Sequence, residues 1–187
     1  ARRASRATAE ASALLAVARS LGEAVRARRR DAAPLLLVVR STVPPGAMAG
    51  AVLPAVAAAA GEGPGAAWEI AYNPEFLREG SAVADHLAPT RIVVGERAPG
   101  AARRLLGLYD GIAAPFLEVP FAVAEMAKLA DNGWHALKVA FANEVGRASV
   151  ALELDPQAVA GLLLADGRLN LGPAYLRPGA PYGGACL

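Results

Sequence analysis

Pro120–Leu154, PFAVAEMAKLADNGWHALKVAFANEVGRASVALEL, is the stretch on which the fold turns. It has the length and pattern of a long, mostly buried helix. At about 100° per residue, Glu125, Lys128, Asn132, His135 and Asn143 fall on one polar stripe, within roughly a quarter of the helical circumference. Most of the remaining circumference is apolar, carrying Met126, Leu129, Trp134, Leu137, Ala140, Phe141, Val145 and Ala148. A helix apolar on several sides is buried by more than one partner. The plain account of the stripe is the wetted edge of a core helix. The functional account is a helix that offers an ammonium and an amide, one turn apart, to a ligand.

Upstream of this stretch, short apolar runs alternate with helical patterns. Ala4 to Arg30 repeats Ala, Leu and Val at helical spacing, with Leu14, Leu15, Val17, Leu21 and Val25 on one broad face. Leu35 to Val39 is uninterrupted and aliphatic, as expected of a strand covered on both faces of a parallel sheet. Ser41 and Thr42 stand at its carboxyl end, and Ala47 to Ala60 is a helix candidate ending at Gly61. Trp68 to Tyr72 reads as a strand followed by Asn73-Pro74, a good helix opening because Asn caps and Pro suits the first helical position. Ile92 to Val94 is a strand, Ala98 to Tyr109 a helix, and Phe116 to Val119 a strand. The alternation predicts an α/β fold with a largely parallel sheet, followed by a helical part that includes Gln157 to Leu164.

Composition narrows the classes. With 187 residues and 55% apolar content the chain buries a good core as one large or two small domains. The formal charge of +2 gives no reason to expect a nucleic-acid partner, and the basic run Arg26 to Arg30 is explained by a solvated helix end. Cys186 is the single cysteine, which leaves no internal disulfide and no multi-cysteine zinc pattern, and no metal site is expected. A reducing cytoplasm fits this usage. No run free of charges and turn breakers reaches the roughly 18 residues of a membrane span, and the first residues lack a signal-peptide pattern. Both ends read as cut.

Chemistry-bearing residues concentrate in a few places. Cys186 follows Gly183-Gly184, where glycines permit close backbone approach to a ligand; a lone cysteine is more often an inert small hydrophobe. Its reactivity would require the thiolate, which a nearby ammonium such as Lys128 favours. Glu75 and Glu79, four apart after the expected helix start, would share a face at the carboxyl end of a strand, where ligands of open α/β sheets collect. Stabilisation of a helix amino end accounts for them as well. Thr42 offers a hydroxyl or simply closes a turn, His135 is a core histidine or a ligand contact, and Arg177 forks onto a phosphate or lies on the surface.

Taken together, five motifs resemble the UDP-glucose/GDP-mannose dehydrogenase family: Arg40-Ser41-Thr42-Val43-Pro44-Pro45-Gly46, Asn73-Pro74-Glu75-Phe76-Leu77-Arg78-Glu79-Gly80, Pro89-Thr90-Arg91-Ile92-Val93-Val94-Gly95, Glu125-Met126-Ala127-Lys128 with Asn132, and Gly183-Gly184-Ala185-Cys186. The match runs over essentially the whole chain. Trp134-His135, Phe141-Ala142-Asn143-Glu144, Leu169-Asn170-Leu171 and Tyr175-Leu176-Arg177-Pro178-Gly179 look most like members that oxidise GDP-mannose.

The resemblance implies the latter part of a Rossmann-like NAD-binding domain over residues 1–119, then a mainly helical central dimerisation domain over 120–187 that ends at the catalytic cysteine loop. It implies oxidation of a nucleotide sugar's hydroxymethyl group to a carboxylate in two NAD-dependent steps. GDP-mannose is the preferred substrate, with UDP-glucose or a UDP-N-acetylhexosamine as alternatives. Cys186 would attack the aldehyde intermediate, and hydride loss from the thiohemiacetal would give a thioester for water to hydrolyse. Lys128 and Asn132 would hold the substrate oxygen, Glu79 would lie beside the substrate, and Glu75 and Thr42 would order the water, with Thr42 also near the nicotinamide. His135, Asn143, Tyr175 and Arg177 would contact the nucleotide sugar, some from the second subunit of a homodimer built on the central helix. The family's glycine-rich dinucleotide loop, its second nucleotide-binding domain and the Lys and Asp that follow its cysteine fall outside this sequence, and Ala185 replaces a common serine. The 187-residue chain alone is therefore expected not to turn over. A rival from another class is a truncated dimerisation or interaction module.

Overall fold

The computed structural model describes residues 2–28 and 33–167, which fall into two compact units divided after Lys128. In the first unit, α1 (Arg2–Ala27) precedes a four-stranded sheet of β1 (Leu35–Val39), β2 (Trp68–Tyr72), β3 (Ile92–Glu96) and β4 (Phe116–Pro120), in that spatial order. β1 and β2 run parallel, as do β3 and β4, while β2 and β3 are antiparallel. The sheet is thus parallel at both outer pairings and reverses once in the middle.

Strand residues alternate between two cores. Leu35, Leu37 and Val39 pack with Trp68, Ile70, Tyr72 and Val93 on one face. Leu36 and Val38 pack with Ala71, Ile92 and Val94 on the other. An unbroken aliphatic run is what such two-sided burial requires. The first face is covered by α1, by α2 (Leu53–Ala60) and by the start of the long helix α4 (Phe121–Ala151). The second is covered by a 3₁₀ segment, Arg103–Tyr109, where the sequence pattern predicted a longer helix from Ala98.

Small residues set the closest approaches. A Cβ on Gly22 of α1 would lie 2.4 Å from the Val56 carbonyl oxygen and 2.7 Å from the Ala59 methyl, so α1 and α2 cross at a glycine. A widened π turn, Met48–Val52, leads into α2 just ahead of Pro54, whose ring has no N–H to give and crowds the preceding turn. Gly61 ends α2 in the left-handed region, its N–H donating to the Ala57 carbonyl at 3.0 Å.

Asn73-Pro74 does not open a helix. Residues 73–78 form no regular secondary structure, and the next helix, α3 (Ala82–Leu87), begins only after the turn at Gly80. The Asn73 amide is occupied elsewhere, donating to the Val93 carbonyl at 2.9 Å and accepting from the Tyr109 hydroxyl. A side chain held by β3 and Tyr109 is turned away from the backbone N–H groups that a helix cap would serve.

In the second unit α4 continues to Ala151, and α5 (Pro156–Leu164) is capped by Asp155, which accepts from the Gln157 N–H at 2.9 Å. Among the described residues no helix is long and apolar enough to cross a membrane.

Candidate active site

Parallel pairing of β1 and β2, with Val39 opposite Tyr72, releases the chain from both strands at one edge. The Asn73 N–H donates to the Val39 carbonyl at 2.9 Å and extends the ladder one step. The Arg40–Gly46 loop and the Asn73–Gly80 segment therefore leave side by side, at the carboxyl ends of strands where α/β folds gather ligands. Antiparallel β3 brings its beginning to this edge too, and the Arg91 guanidinium stacks 4.3 Å from the centre of the Phe76 ring.

The first turns of α4 complete the site within residues 1–128. Gly95 makes that approach possible: a Cβ there would meet the Ala124 methyl at 3.0 Å, the Tyr72 Cβ at 3.2 Å and the Phe121 Cα at 3.3 Å. With the helix this close, two residues of the polar stripe point inward. Glu125 is 0% exposed and Lys128 is 3% exposed. The Glu125 carboxylate accepts from the backbone N–H of Gly46 at 2.6 Å and of Met48 at 2.7 Å. The Lys128 ammonium lies 3.3 Å from Glu75 Oε1 and 5.2 Å from the Phe76 ring centre. A buried ammonium needs such a partner. The other oxygen of Glu75 accepts the Leu77 N–H at 2.7 Å, which holds the carboxylate in place.

Tyr72 stands under this group, fully buried, with its hydroxyl near the Val43 backbone but making no hydrogen bond of ordinary geometry. Burial pushes its phenol up to about 12; the Val43 backbone opposes this, and the charges of Glu125 and Glu75 reinforce it. Thr42 is half-buried next to buried Val43.

Glu79 is not on a shared face with Glu75. It is exposed in the turn before α3, whereas Glu75 faces Lys128. Arg78 between them is fixed by Asp85, with Arg78 Nε and Nη2 donating at 3.0 and 2.6 Å and the Ser81 hydroxyl adding a bond at 3.0 Å. The guanidinium holds the Asp85 carboxyl well below the usual carboxylate range.

In the second unit Asn132, His135 and Asn143 are each half-buried on α4, and His135 Nε2 lies 3.2 Å from the Asp131 carboxylate one turn back. Trp134, Leu137 and Phe141 are 54%, 58% and 50% exposed, the reverse of the burial expected for this side of the helix. Cys186, Tyr175 and Arg177 lie outside the described residues. Among the described residues no group of three or more His, Cys, Asp or Glu is gathered for a metal.

The sequence pattern did not single out Asn73, Phe76, Tyr72 or Arg91 as parts of this edge, and it placed Glu125 on the stripe without a partner. The signal for Glu125 was its spacing: three residues before Lys128, it shares that residue's side of the helix.

An α/β unit with charged groups gathered at the carboxyl ends of parallel strands has the architecture of a nucleotide-binding dehydrogenase. The chain belongs to the UDP-glucose/GDP-mannose dehydrogenase family: residues 3–113 match the family's NAD binding domain and residues 122–187 its central domain. It is 40% identical to the GDP-mannose 6-dehydrogenase of Azotobacter vinelandii over 171 residues, 91% of this chain and 38% of that protein. It is 34% identical to a UDP-glucose 6-dehydrogenase of Haloferax volcanii, over 94% of this chain and 41% of that protein. Its fold is similar to that of GDP-mannose dehydrogenase from Pseudomonas aeruginosa, solved as a ternary complex, with a TM-score of 0.76 and 37% identity over 94% of this chain and 40% of that one. It is also similar to a UDP-glucose dehydrogenase from Pyrobaculum islandicum, with a TM-score of 0.78 and 41% identity over 92% of this chain and 38% of that one. The chain spans about two fifths of the length of these relatives. NAD is the family's cofactor.

Proposed function

We propose that the chain is part of an NAD-dependent nucleotide-sugar 6-dehydrogenase that converts GDP-mannose to GDP-mannuronate. The observation that carries this is the Lys128 ammonium, 3% exposed and held against Glu75 at the carboxyl edge of the sheet. A desolvated, preoriented cation stabilises negative charge on a substrate oxygen far better than one in water. The half-buried Thr42 hydroxyl and the Glu75 carboxylate leave neighbouring strands at that same edge, a donor and acceptor set that fits a nicotinamide and a water molecule beside it.

NAD held at this edge beside Thr42 would supply the hydride acceptor for each of the two oxidations. Lys128, with Asn132 one turn further along α4, holds the substrate oxygen as its charge develops. The Cys186 thiolate adds to the aldehyde carbon, and loss of hydride from that adduct leaves a thioester. Water held by Thr42 and Glu75 then bonds to the acyl carbon. The carbon–sulfur bond breaks, the sulfur departs with the electron pair as thiolate, and Glu75 takes up the water's proton. Glu79 lies beside the sugar, and His135, Asn143, Tyr175 and Arg177 contact the nucleotide sugar.

The exposed Trp134, Leu137 and Phe141, at helical spacing on one helix, support a homodimer in which a second copy covers them. Residues 1–119 then serve as the NAD-binding part and 120–187 as the central part.

Identity of 41% to a UDP-glucose dehydrogenase supports UDP-glucose as the second substrate reading. Steady-state assays of the full-length protein with GDP-mannose, UDP-glucose and a UDP-N-acetylhexosamine separate the readings by kcat/KM. A clear preference for either UDP-sugar would overturn GDP-mannose as the substrate.

A further inference from the structure

We propose that Glu125 is a positioning residue that clamps the Arg40–Gly46 loop, and with it Thr42, to the helix that carries Lys128. The proposal rests on the dehydrogenase reading above, in which Thr42 and Glu75 hold the water that releases the acid.

Both oxygens of Glu125 are used on backbone N–H groups, Oε2 on Gly46 at 2.6 Å and Oε1 on Met48 at 2.7 Å, with the side chain wholly out of solvent. These two N–H groups flank that of Ala47, which donates to the Pro44 carbonyl at 3.0 Å, at the start of the helical run 47–60, where the first N–H groups have no acceptor in a preceding helical turn. A carboxylate is an acceptor on both sides and carries the charge that the positive end of a helix favours. Gly46, at φ +89°, turns the chain so that its N–H reaches the carboxylate together with that of Met48.

Glu125 precedes Lys128 by one helical turn, so the carboxylate that grips the loop and the ammonium that meets Glu75 sit on one rigid element. The loop from β1 and the segment from β2 are thereby referenced to the same helix. Loosening the clamp frees Thr42 while leaving the Lys128–Glu75 pair formed.

Glu125→Gln tests this, because the amide has one acceptor and would turn an NH₂ toward one of the two N–H donors. In the full-length enzyme with GDP-mannose and NAD, steady-state kcat should fall on the order of 100-fold, the cost of a misplacement of about 1 Å at a reacting group. KM for GDP-mannose should stay within about threefold. Release of the acid should become limiting, so intact-protein mass spectrometry should detect acylated Cys186. Hydrogen exchange should be faster at the Gly46 and Met48 amides. Glu125→Asp, one methylene shorter and able to reach a single N–H, should show the same pattern more weakly and serves if the glutamine variant does not fold.

Wild-type exchange at both amides, or a fall in kcat with no acyl-enzyme and KM rising in step, overturns the proposal. An inactive wild-type enzyme would instead remove the dehydrogenase reading, and with it any catalytic role for the clamp.

Discussion

The Lys128 ammonium and the Glu75 carboxylate lie 3.3 Å apart with very different access to water: the lysine side chain is 4% exposed and the glutamate 28%. The pair is therefore asymmetric. Glu75→Gln strands a charge that is almost fully buried and should destabilise the fold by about 3 kcal/mol. Lys128→Met leaves a carboxylate that water still reaches and should cost on the order of 1 kcal/mol. Urea unfolding of the two variants checks the order, and equal losses would contradict it. Both variants should lower NADH production by at least about 100-fold.

Gly95 is a point of close approach between α4 and the sheet, and Gly95→Ala should separate them. The methyl would meet Ala124 at 3.0 Å and the Phe121 backbone at 3.3 Å, so overpacking of about 1 to 3 kcal/mol is expected in urea unfolding. Activity should fall further than stability, because the displaced turns carry Glu125 and Lys128.

Tyr72 makes the fold sensitive to base. Its folded-state value of about 12 stands above the ordinary 10.0, so the folded protein holds the phenolic proton more tightly than the unfolded chain. Burial penalises the phenolate and leaves the neutral form as it is, so stability is unaffected below pH 10 and falls as pH rises from 10 toward 12. Tyr72→Phe should flatten the alkaline limb of a stability-versus-pH curve and change little at neutral pH, since the hydroxyl makes no ordinary hydrogen bond. An unchanged alkaline limb would contradict this.

Asp85 works in the opposite direction. Arg78 and Ser81 stabilise its ionised form, so its contribution is present above the unfolded carboxylate range and is lost as pH falls through the lower folded value. Asp85→Asn should remove that part of the acid sensitivity, measured as the midpoint of acid unfolding.

Much of this fold is legible in residue order. Leu35 to Val39 had no polar residue to turn outward, and it is a half-buried strand packed against a core on each face. The 3.6-residue pattern of Pro120–Leu154 is a helix over almost its full length. Local chemistry misled at Asn73-Pro74, because the competing partners of the Asn73 amide, Val93 and Tyr109, are remote in sequence. The polar stripe of α4 was visible, but which way it faced was not: Glu125 and Lys128 point into protein while Trp134 and Phe141 point out of it. Periodicity defines a face without saying what covers it. Glu125 was hidden for a related reason, since its partners are backbone N–H groups and backbone carries no sequence signature.

Nothing tests the account more directly than the stoichiometry of NADH formed per GDP-mannose consumed by the full-length protein, measured beside its Cys186→Ser variant. Two NADH per GDP-mannose, with acid formation abolished by the substitution, is the predicted result. One NADH per sugar, or unchanged acid formation without the thiol, would contradict it.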